Sequence, residues 1–369
     1  MKKCMGILLT LVMLLFPKMA YASDLALSQL EDLELSRADE MAEEAGAGTS
    51  LSQLIEEILM GEYSFSMEDW ADRLWEMAFG ELAAQKSLLI QLLLVVVLAA
   101  ILRNVSLSFH GRQVGDMGFY VCYMVLIVVI LSTFFEITEA VVERIDLIGS
   151  IFTAMLPAFL VLAASSGNLT QTALMGPTMM GGCTLMVYAI RRLIVPGVFL
   201  AVGLAMTDCL SEKPVTGRLA ELLKKGMSWG VKGFAVVFML LLSLQKIGGG
   251  AINSLAVRTA KIAVNAVPVV GNVMGGAVDT AAAVSGTLRN GTLAAAAVLL
   301  LLLCLPICVK LAVMTLIFYF AAAAVESFCE ERLVQCVSAA GEYMALLLGV
   351  VFLAEVMFLF CAVLLLGVI

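Results

Sequence analysis

Residues 257–286 read VRTAKIAVNAVPVVGNVMGGAVDTAAAVSG, a stretch too apolar for a surface loop and too interrupted for an ordinary membrane helix. Pro268 breaks its first helical segment, because proline lacks a backbone N–H and collides with the preceding turn. Gly271 and Gly275 follow at the four-residue spacing of helix-packing faces, and Asp279 stands among alanines. Irregular backbone at membrane depth is tolerated only where protein or a wet cavity surrounds it, and an acid there is a functional candidate. The stretch therefore predicts a helical membrane protein in which this element is a packing face or part of a substrate or ion path.

The same stretch and a block upstream of it carry a family resemblance. The residues concerned are VRTAK at 257–261, PVVG at 268–271, AVDT at 277–280, LSEK at 210–213, RLA at 218–220 and LLKK at 222–225. With them the chain resembles the stage III sporulation protein AE family of endospore-forming bacteria, from about residue 50 to its end. It departs from the family at 213–217, where KPVTG replaces a longer basic segment.

The resemblance implies a cellular role as well as a fold. Members of the family are polytopic subunits of the complex that links mother cell and forespore after engulfment. That complex is similar to specialised secretion systems, and it keeps the forespore competent for late gene expression. The resemblance therefore implies a membrane protein of the mother cell, in the membrane that surrounds the forespore, with other subunits of the complex as partners.

The composition is that of a membrane protein, since 62% of the 369 residues are hydrophobic and only 14% are charged. The net charge of −8 is unevenly placed: sixteen acids between Asp24 and Glu81 stand against Arg37 and Arg73. No basic stripe with interleaved aromatic residues occurs, so nucleic acid is not a predicted partner. We expect an all-α, polytopic membrane bundle with about 8–10 apolar segments, embedded in the lipid bilayer.

The N-terminal 87 residues are predicted to be exported. Residues 1–22 are predicted to be a secretory signal peptide, with an A-x-A cleavage site at 20–22; an uncleaved anchor is the alternative. Residues 23–87 form the acidic extracytoplasmic segment, and its first part, 23–49, is expected to be mobile. Amphipathic helices are predicted at 51–59 and 66–85. The second has an apolar face of Trp70, Leu74, Met77 and Ala78, and it is expected to lie on the outer membrane surface, to dock a partner, or simply to be solvent-exposed.

Residues 88–369 are predicted to form the multi-span membrane domain. The first span covers 88–102, and the basic residues of 103–112 place the next loop in the cytoplasm. Spans are expected at 117–135 and 231–247, with an acidic outer connector at 136–146. Between them lie the apolar segments 148–164, which contains Pro157, 173–190 and 193–210, the last two separated by Arg191–Arg192. The proline-broken segments either cross the membrane or re-enter it. The amphipathic stretch 211–229 is the clearest cytoplasmic marker, and it is expected to contact anionic lipid headgroups or a cytoplasmic partner through Lys213, Arg218, Lys224 and Lys225.

The C-terminal part contains further charged residues at membrane depth. Because Pro306 and Lys310 interrupt residues 292–325, this region is either a helical hairpin or one long kinked helix. Glu355 falls near the middle of the last span, 342–369. An intramembrane carboxylate usually faces other helices, so Glu355 is expected to pair with Lys310, to be neutral, or to relay protons.

An internal duplication is a further possibility, with repeats at about 117–210 and 231–325. A shift of 111 residues brings Pro157 onto Pro268, and with one deletion Pro196 falls on Pro306. Transporter folds often contain such repeats, with sites at broken helices.

The sequence contains no set of residues typical of an enzyme. There is no nucleophile–histidine–acid set and no phosphate-binding glycine loop, and Cys304 and Cys308 share a helix face without a third metal ligand at suitable spacing. We expect no catalytic activity, no cofactor and no metal. The hypotheses that remain are a channel or secretion-complex subunit, a structural scaffold that recruits other subunits, and an independent ion-coupled permease; a homo-oligomer is possible in each case.

Overall fold

The computed structural model describes residues 35–63, 67–108, 112–165, 169–210, 217–240, 271–326 and 331–366, and their regular structure is entirely helical. The predicted signal peptide, Lys213 and Pro268 lie outside these residues. The helices in chain order are α1 (Ser36–Glu44), α2 (Leu51–Met60), α3 (Met67–Ala84), α4 (Lys86–Ser108), α5 (Arg112–Ser165), α6 (Leu169–Ala189), α7 (Val195–Leu210), α8 (217–240), α9 (Gly271–Val325) and α10 (Glu331–Leu366). A π-helical turn, Ile190–Ile194, joins α6 to α7.

The acidic segment contains the two predicted amphipathic helices. Helix α2 begins at a capping box, in which the Ser50 hydroxyl accepts a hydrogen bond from Gln53 N–H and the Gln53 side chain accepts one from Ser50 N–H. It ends at Gly61, whose φ of 74° is the left-handed conformation that favours glycine. The five predicted apolar residues of α2 are all buried: Leu51, Leu54, Ile55, Ile58 and Leu59.

The prediction that 23–49 is mobile is wrong for residues 36–44, which form α1. This helix is held by its neighbour, because the Asp39 carboxylate accepts hydrogen bonds from the Ser52 amide and hydroxyl. Its Ala38 and Ala42 are buried, and Arg144 on α5 donates a hydrogen bond to the Ala45 carbonyl. Small residues therefore let this polar segment pack closely against the helices of the membrane domain, residues 88–369.

Helix α5 overturns the prediction that an outer connector separates the span at 117–135 from the apolar segment at 148–164. All 54 residues are one helix, and the acidic stretch lies in its middle. Glu136, Glu139 and Glu143 are exposed, while Ile137 and Val141 are buried, so the stretch keeps the period of a helix with one apolar face. At 1.5 Å per residue the helix is about 80 Å long, well beyond the roughly 30 Å of bilayer hydrocarbon.

Helices α6 and α7 likewise continue through Arg191–Arg192 rather than ending there. The π-helical turn carries both arginines, and Arg191 pairs with Asp146 on α5 at 2.8 Å. We call the charges at this level, all of them exposed except the half-buried Asp146, the charged waist: Glu136, Glu139, Glu143, Asp146, Arg191 and Arg192.

Residues 292–325 form part of one long helix, α9, which decides between the two predicted alternatives. Pro306 lies inside it, and residues 291–301 are buried without interruption. Helix α10 runs antiparallel to α9, with Gly341 against Tyr319 at one end and Glu355 beside Cys304 nearer the middle.

The chain is a multi-pass membrane protein of the all-α class. Among the described residues, four stretches are long and apolar enough to cross a membrane: Tyr120–Ala164, Gly176–Cys209, Gly286–Ala324 and Glu331–Leu366. The bent pair α3–α4, with 47° between its helices, makes a fifth if counted as one span. The predicted first span lies within α4. The predicted apolar segments are thus carried by fewer, longer helices.

Candidate functional site

Glu355 is the most unusual residue of the described core. Its side chain is 2% exposed, and neither carboxylate oxygen has a hydrogen-bond partner among the described residues. The predicted pair with Lys310 is therefore not formed; Lys310 is half-buried elsewhere on α9. Buried polar groups in native proteins are nearly always hydrogen-bonded, so an unpartnered carboxyl group calls for an explanation.

The thiols of Cys304 and Cys308 lie beside Glu355. They are one turn apart on α9, with their sulfur atoms 3.4 Å from each other. Cys308 interacts electrostatically with the carboxyl group, and the Cys304 thiol is near enough to be a weak donor to it, although neither carboxylate oxygen has a partner at full hydrogen-bond geometry in the described part of the chain. The sequence showed that the two cysteines share a helix face, but not that this face meets Glu355, because the residues lie on different helices. Within the described residues no group of three or more His, Cys, Asp or Glu side chains could hold a metal ion.

The first turns of α9 contain three of the predicted site residues. Gly271 and Gly275 lie one turn apart on the same face, and Asp279 follows one turn later. The interrupted element predicted from the sequence is therefore helical from Gly271 onward, while its proline lies outside the described residues. Pro157, the matching residue of the proposed repeat, lies inside α5 and is exposed. The duplication itself stays a prediction.

The basic residues of α8 fall into two groups. Arg218 is exposed, and Lys225 forms an exposed pair with Glu221 at 2.6 Å, whose hydrogen bond lowers the pKa of the Glu221 carboxyl group. Lys224 instead faces α10: it pairs with Glu342 and lies 5.2 Å from the centre of the Tyr343 ring. The Tyr343 hydroxyl donates a hydrogen bond to the Ala220 carbonyl at 3.4 Å.

Lys224 is therefore expected to hold α8 against α10 rather than to serve only as an external contact. Lys224→Ala should lower the free energy of unfolding by about 1 kcal/mol, because it removes both a partly exposed ion pair and a cation–π contact. Lys225→Ala changes the next residue and removes only its exposed pair with Glu221, one turn away on the same helix. It should have about half the effect of Lys224→Ala or less. Denaturant titration of the purified protein in detergent measures both, and equal effects would contradict the inward role of Lys224.

The acidic segment forms the wall of an outer pocket. A cavity of about 550 Å³ lies between the α1–α2 turn, α2, α3 and the middle of α9, and its lining includes Glu56, Glu57 and Arg73. Burial raises the pKa of Tyr63 in this wall. On α3 the four predicted face residues are half-buried, and Trp75 stacks on Phe79 at 5.6 Å on the exposed side. The helix therefore offers aromatic side chains outward while its other face packs on the bundle.

Comparison with known proteins gives the family. The family model described as stage III sporulation protein AE matches residues 49–368.

The chain belongs to the stage III sporulation protein AE family.

Stage III sporulation protein AE of Bacillus subtilis (strain 168) is 28% identical over 271 residues, which cover 73% of this chain and 67% of that protein. No solved structure matches the chain. The resemblance predicted from the motifs is confirmed, and a role in sporulation follows from the family. The match begins at Thr49, immediately before the cap of α2, so the matched region includes α2, α3 and the whole membrane body, whereas α1 precedes it.

Proposed function

We propose that this chain is a membrane subunit of a channel or secretion-like complex between mother cell and forespore, needed for late forespore gene expression and development. Membership of a sporulation family supports the setting. The single observation that carries the transport role is the Glu355 carboxyl group, buried between α9 and α10 without a hydrogen-bond partner among the described residues. Ionisable groups inside a membrane bundle commonly mark ion, proton or substrate paths.

The length of the bundle supports assembly with other protein. Helix α5 exposes apolar side chains on both sides of the charged waist, such as Met124 and Val128 before it and Val161 after it. A single hydrocarbon layer of about 30 Å can cover only one of these two belts. The other belt is then covered by partner subunits or by further copies of this chain, since large exposed apolar surfaces mark protein contacts.

The charge distribution supports an orientation in the mother-cell membrane around the forespore. The first residues of α8, 217–225, include the basic residues Arg218, Lys224 and Lys225. An excess of lysine and arginine is expected at a cytoplasmic face. Sixteen acids of the N-terminal segment and the charged waist belong to the opposite, extracytoplasmic side in this arrangement. Residues 23–87 would then face the space between the two cells.

A structural scaffold is the second candidate, and the docked acidic segment favours it. The five apolar residues of α2 are buried in the core, so the acidic segment is fixed to the membrane domain. A rigid platform for other subunits requires such a fixed segment. An independent ion-coupled permease is the third candidate. It is supported by the same buried carboxyl group, and it requires that the isolated protein move a solute in liposomes.

The substitutions Asp279→Asn and Glu355→Gln distinguish the channel hypothesis from the scaffold hypothesis. In a sporulating host that carries each variant as its only copy, we expect co-purification of the complex to persist and a late forespore reporter to fall about tenfold or more. Glu139→Gln, at an exposed acid of α5, is the control and should leave both readouts unchanged. Loss of co-purification would favour the scaffold, and an unchanged reporter in both variants would contradict the channel role.

A further inference from the structure

Three sulfur-bearing side chains meet where α7 ends and α10 begins. Cys209 is one residue before the end of α7, and Met206 lies one turn before it on the same face. Cys336 lies in the second turn of α10, and its thiol donates a hydrogen bond to the Met206 thioether, with 3.1 Å between the sulfur atoms. The Cys209 thiol is within hydrogen-bond reach of the Cys336 thiol. Three sulfur atoms from two helices thus converge at one point.

Tyr123 of α5 fixes the position of the sulfur cluster, a name we use for Met206, Cys209 and Cys336. Its hydroxyl donates a hydrogen bond to the Met206 carbonyl at 3.0 Å, and its oxygen also lies beside both thiols. The Tyr123 side chain is buried, and these contacts satisfy its polar end in the core. A third helix therefore holds the methionine of the cluster in place.

The sulfur cluster is enclosed by apolar side chains but open to access at one of its members. Met206 and Cys336 are fully buried, and so are Val202 and Ala340, which lie one turn away on the same helix faces. Cys209 is only half-buried, so its thiol gives access to the cluster from the end of α7. A ligand set with one accessible member can take up an ion, and an apolar shell then keeps water away from it.

The chemical types of the three side chains decide which ion they suit. Thiolate and thioether sulfur are soft ligands that select Cu(I). Zn²⁺ instead takes thiolate, imidazole or carboxylate ligands, almost always four of them in a structural site. Within the described residues no group of three or more His, Cys, Asp or Glu side chains could hold a metal ion, so the cluster lacks the ligands of a zinc site. The methionine, which is not a usual zinc ligand, supplies the third sulfur atom.

We propose that Cys209, Cys336 and Met206 bind one Cu(I) ion through three sulfur atoms. The two thiols lose their protons to solvent and form Cu–S bonds, and the thioether adds a third bond through a sulfur lone pair. No electron is transferred, and the bound group carries one negative charge. With metal–sulfur bonds of about 2.3 Å, three coplanar sulfur ligands stand about 4 Å apart, so the Cys336 and Met206 sulfur atoms separate by about 1 Å. The unbranched Met206 side chain has three rotatable bonds that permit this movement.

The proposed copper site is independent of the channel role. Glu355 lies on the same helix as Cys336 but about 28 Å farther along it, at 1.5 Å per residue. The expectation of no metal from the sequence rested on ligand spacing along the chain, whereas Met206 and Cys336 are 130 residues apart. Binding of Cu(I) by the purified chain therefore stands or falls without reference to forespore gene expression.

Cu(I) binding is tested on the full-length protein, purified in detergent without oxygen. The acetonitrile complex of Cu(I) is the probe, and the chelator bicinchoninate is the competitor. We expect the chain to withdraw one Cu(I) from the chelator and to release about two protons per ion. Cys209→Ser should abolish this binding. Cys308→Ser, at another half-buried cysteine, is the matched control and should bind Cu(I) as the native chain does.

Met206→Leu tests the thioether separately, because leucine has a similar volume and preserves the packing. Loss of this ligand should weaken Cu(I) binding about tenfold or more, and X-ray absorption should show the number of sulfur neighbours falling from three to two. Met179→Leu, at a fully buried methionine of α6, should change neither measurement. Native-like binding by Cys209→Ser would overturn the proposal, as would an unchanged sulfur number in Met206→Leu. Displacement of Cu(I) by an equal concentration of Zn²⁺ would overturn it as well.

Discussion

Gly182→Val is expected to detach the second half of α8 from the bundle and to lower the free energy of unfolding by about 3 kcal/mol. A Cβ atom at this position would overlap the ring of Phe238, which is 6% exposed. The backbone of α6 and the backbone of α8 are both continuous helix here, so neither can move away alone. The ring must leave its site, and its packing is lost with it.

The size of this effect follows from the way membrane helices associate. Lipid tails are as apolar as the core, so association depends mainly on close van der Waals packing, and small residues at the contact permit it. Thermal unfolding of the purified protein in detergent measures the change.

The neighbouring residue provides the control. Gly181 is exposed and a built Cβ meets nothing within 4 Å, so Gly181→Val should leave stability nearly unchanged although the substitution is chemically identical. Phe238→Ala should be destabilising alone but should largely suppress the added effect of Gly182→Val, since the overlapping ring is gone. Equal destabilisation by Gly181→Val and Gly182→Val would show that valine acts through helix propensity and not through this contact.

The sequence predicted the helical class, the amphipathic α2 and α3, and the position of the first apolar span, because each rests on local periodicity. It failed where charges interrupt apolar segments. Glu136, Glu139 and Arg191 were interpreted as ends of spans, yet each lies within a helix that continues. A charge predicts the edge of a membrane only if helices end there, and a bundle that projects beyond the bilayer breaks that rule.

The candidate site was likewise predicted only in part. Glu355 was predicted from its position in an apolar segment, but its neighbours Cys304 and Cys308 lie on another helix at a sequence separation of about fifty residues, which local pattern cannot assign. The π-helical turn at Ile190–Ile194 was not predicted at all, because a one-residue widening of a helix does not change the hydrophobic pattern.

Glu355→Met is expected to raise the free energy of unfolding by about 2 kcal/mol and to abolish late forespore gene expression. A buried carboxyl group without a hydrogen-bond partner opposes folding, and an unbranched apolar side chain of similar size removes that penalty. Cys304 faces the position from α9, and Phe358 is buried one turn along α10, so methionine meets apolar neighbours. The Glu355 carboxyl group then both lowers the stability of the native chain and is needed for its function. Such a trade-off between stability and activity is common at functional sites.

Glu355→Gln distinguishes a functional carboxyl group from a packing defect. The amide is as large and as polar as the acid, so its burial remains unfavourable and the melting temperature should stay near that of the native chain. Late forespore gene expression should be lost in both Glu355→Gln and Glu355→Met, because neither side chain carries an ionisable group. If Met destabilised the bundle, the carboxyl group would have a stabilising partner in the folded protein. If Gln retained forespore gene expression, ionisation at this position would not be needed, and the channel role would lose the observation that carries it.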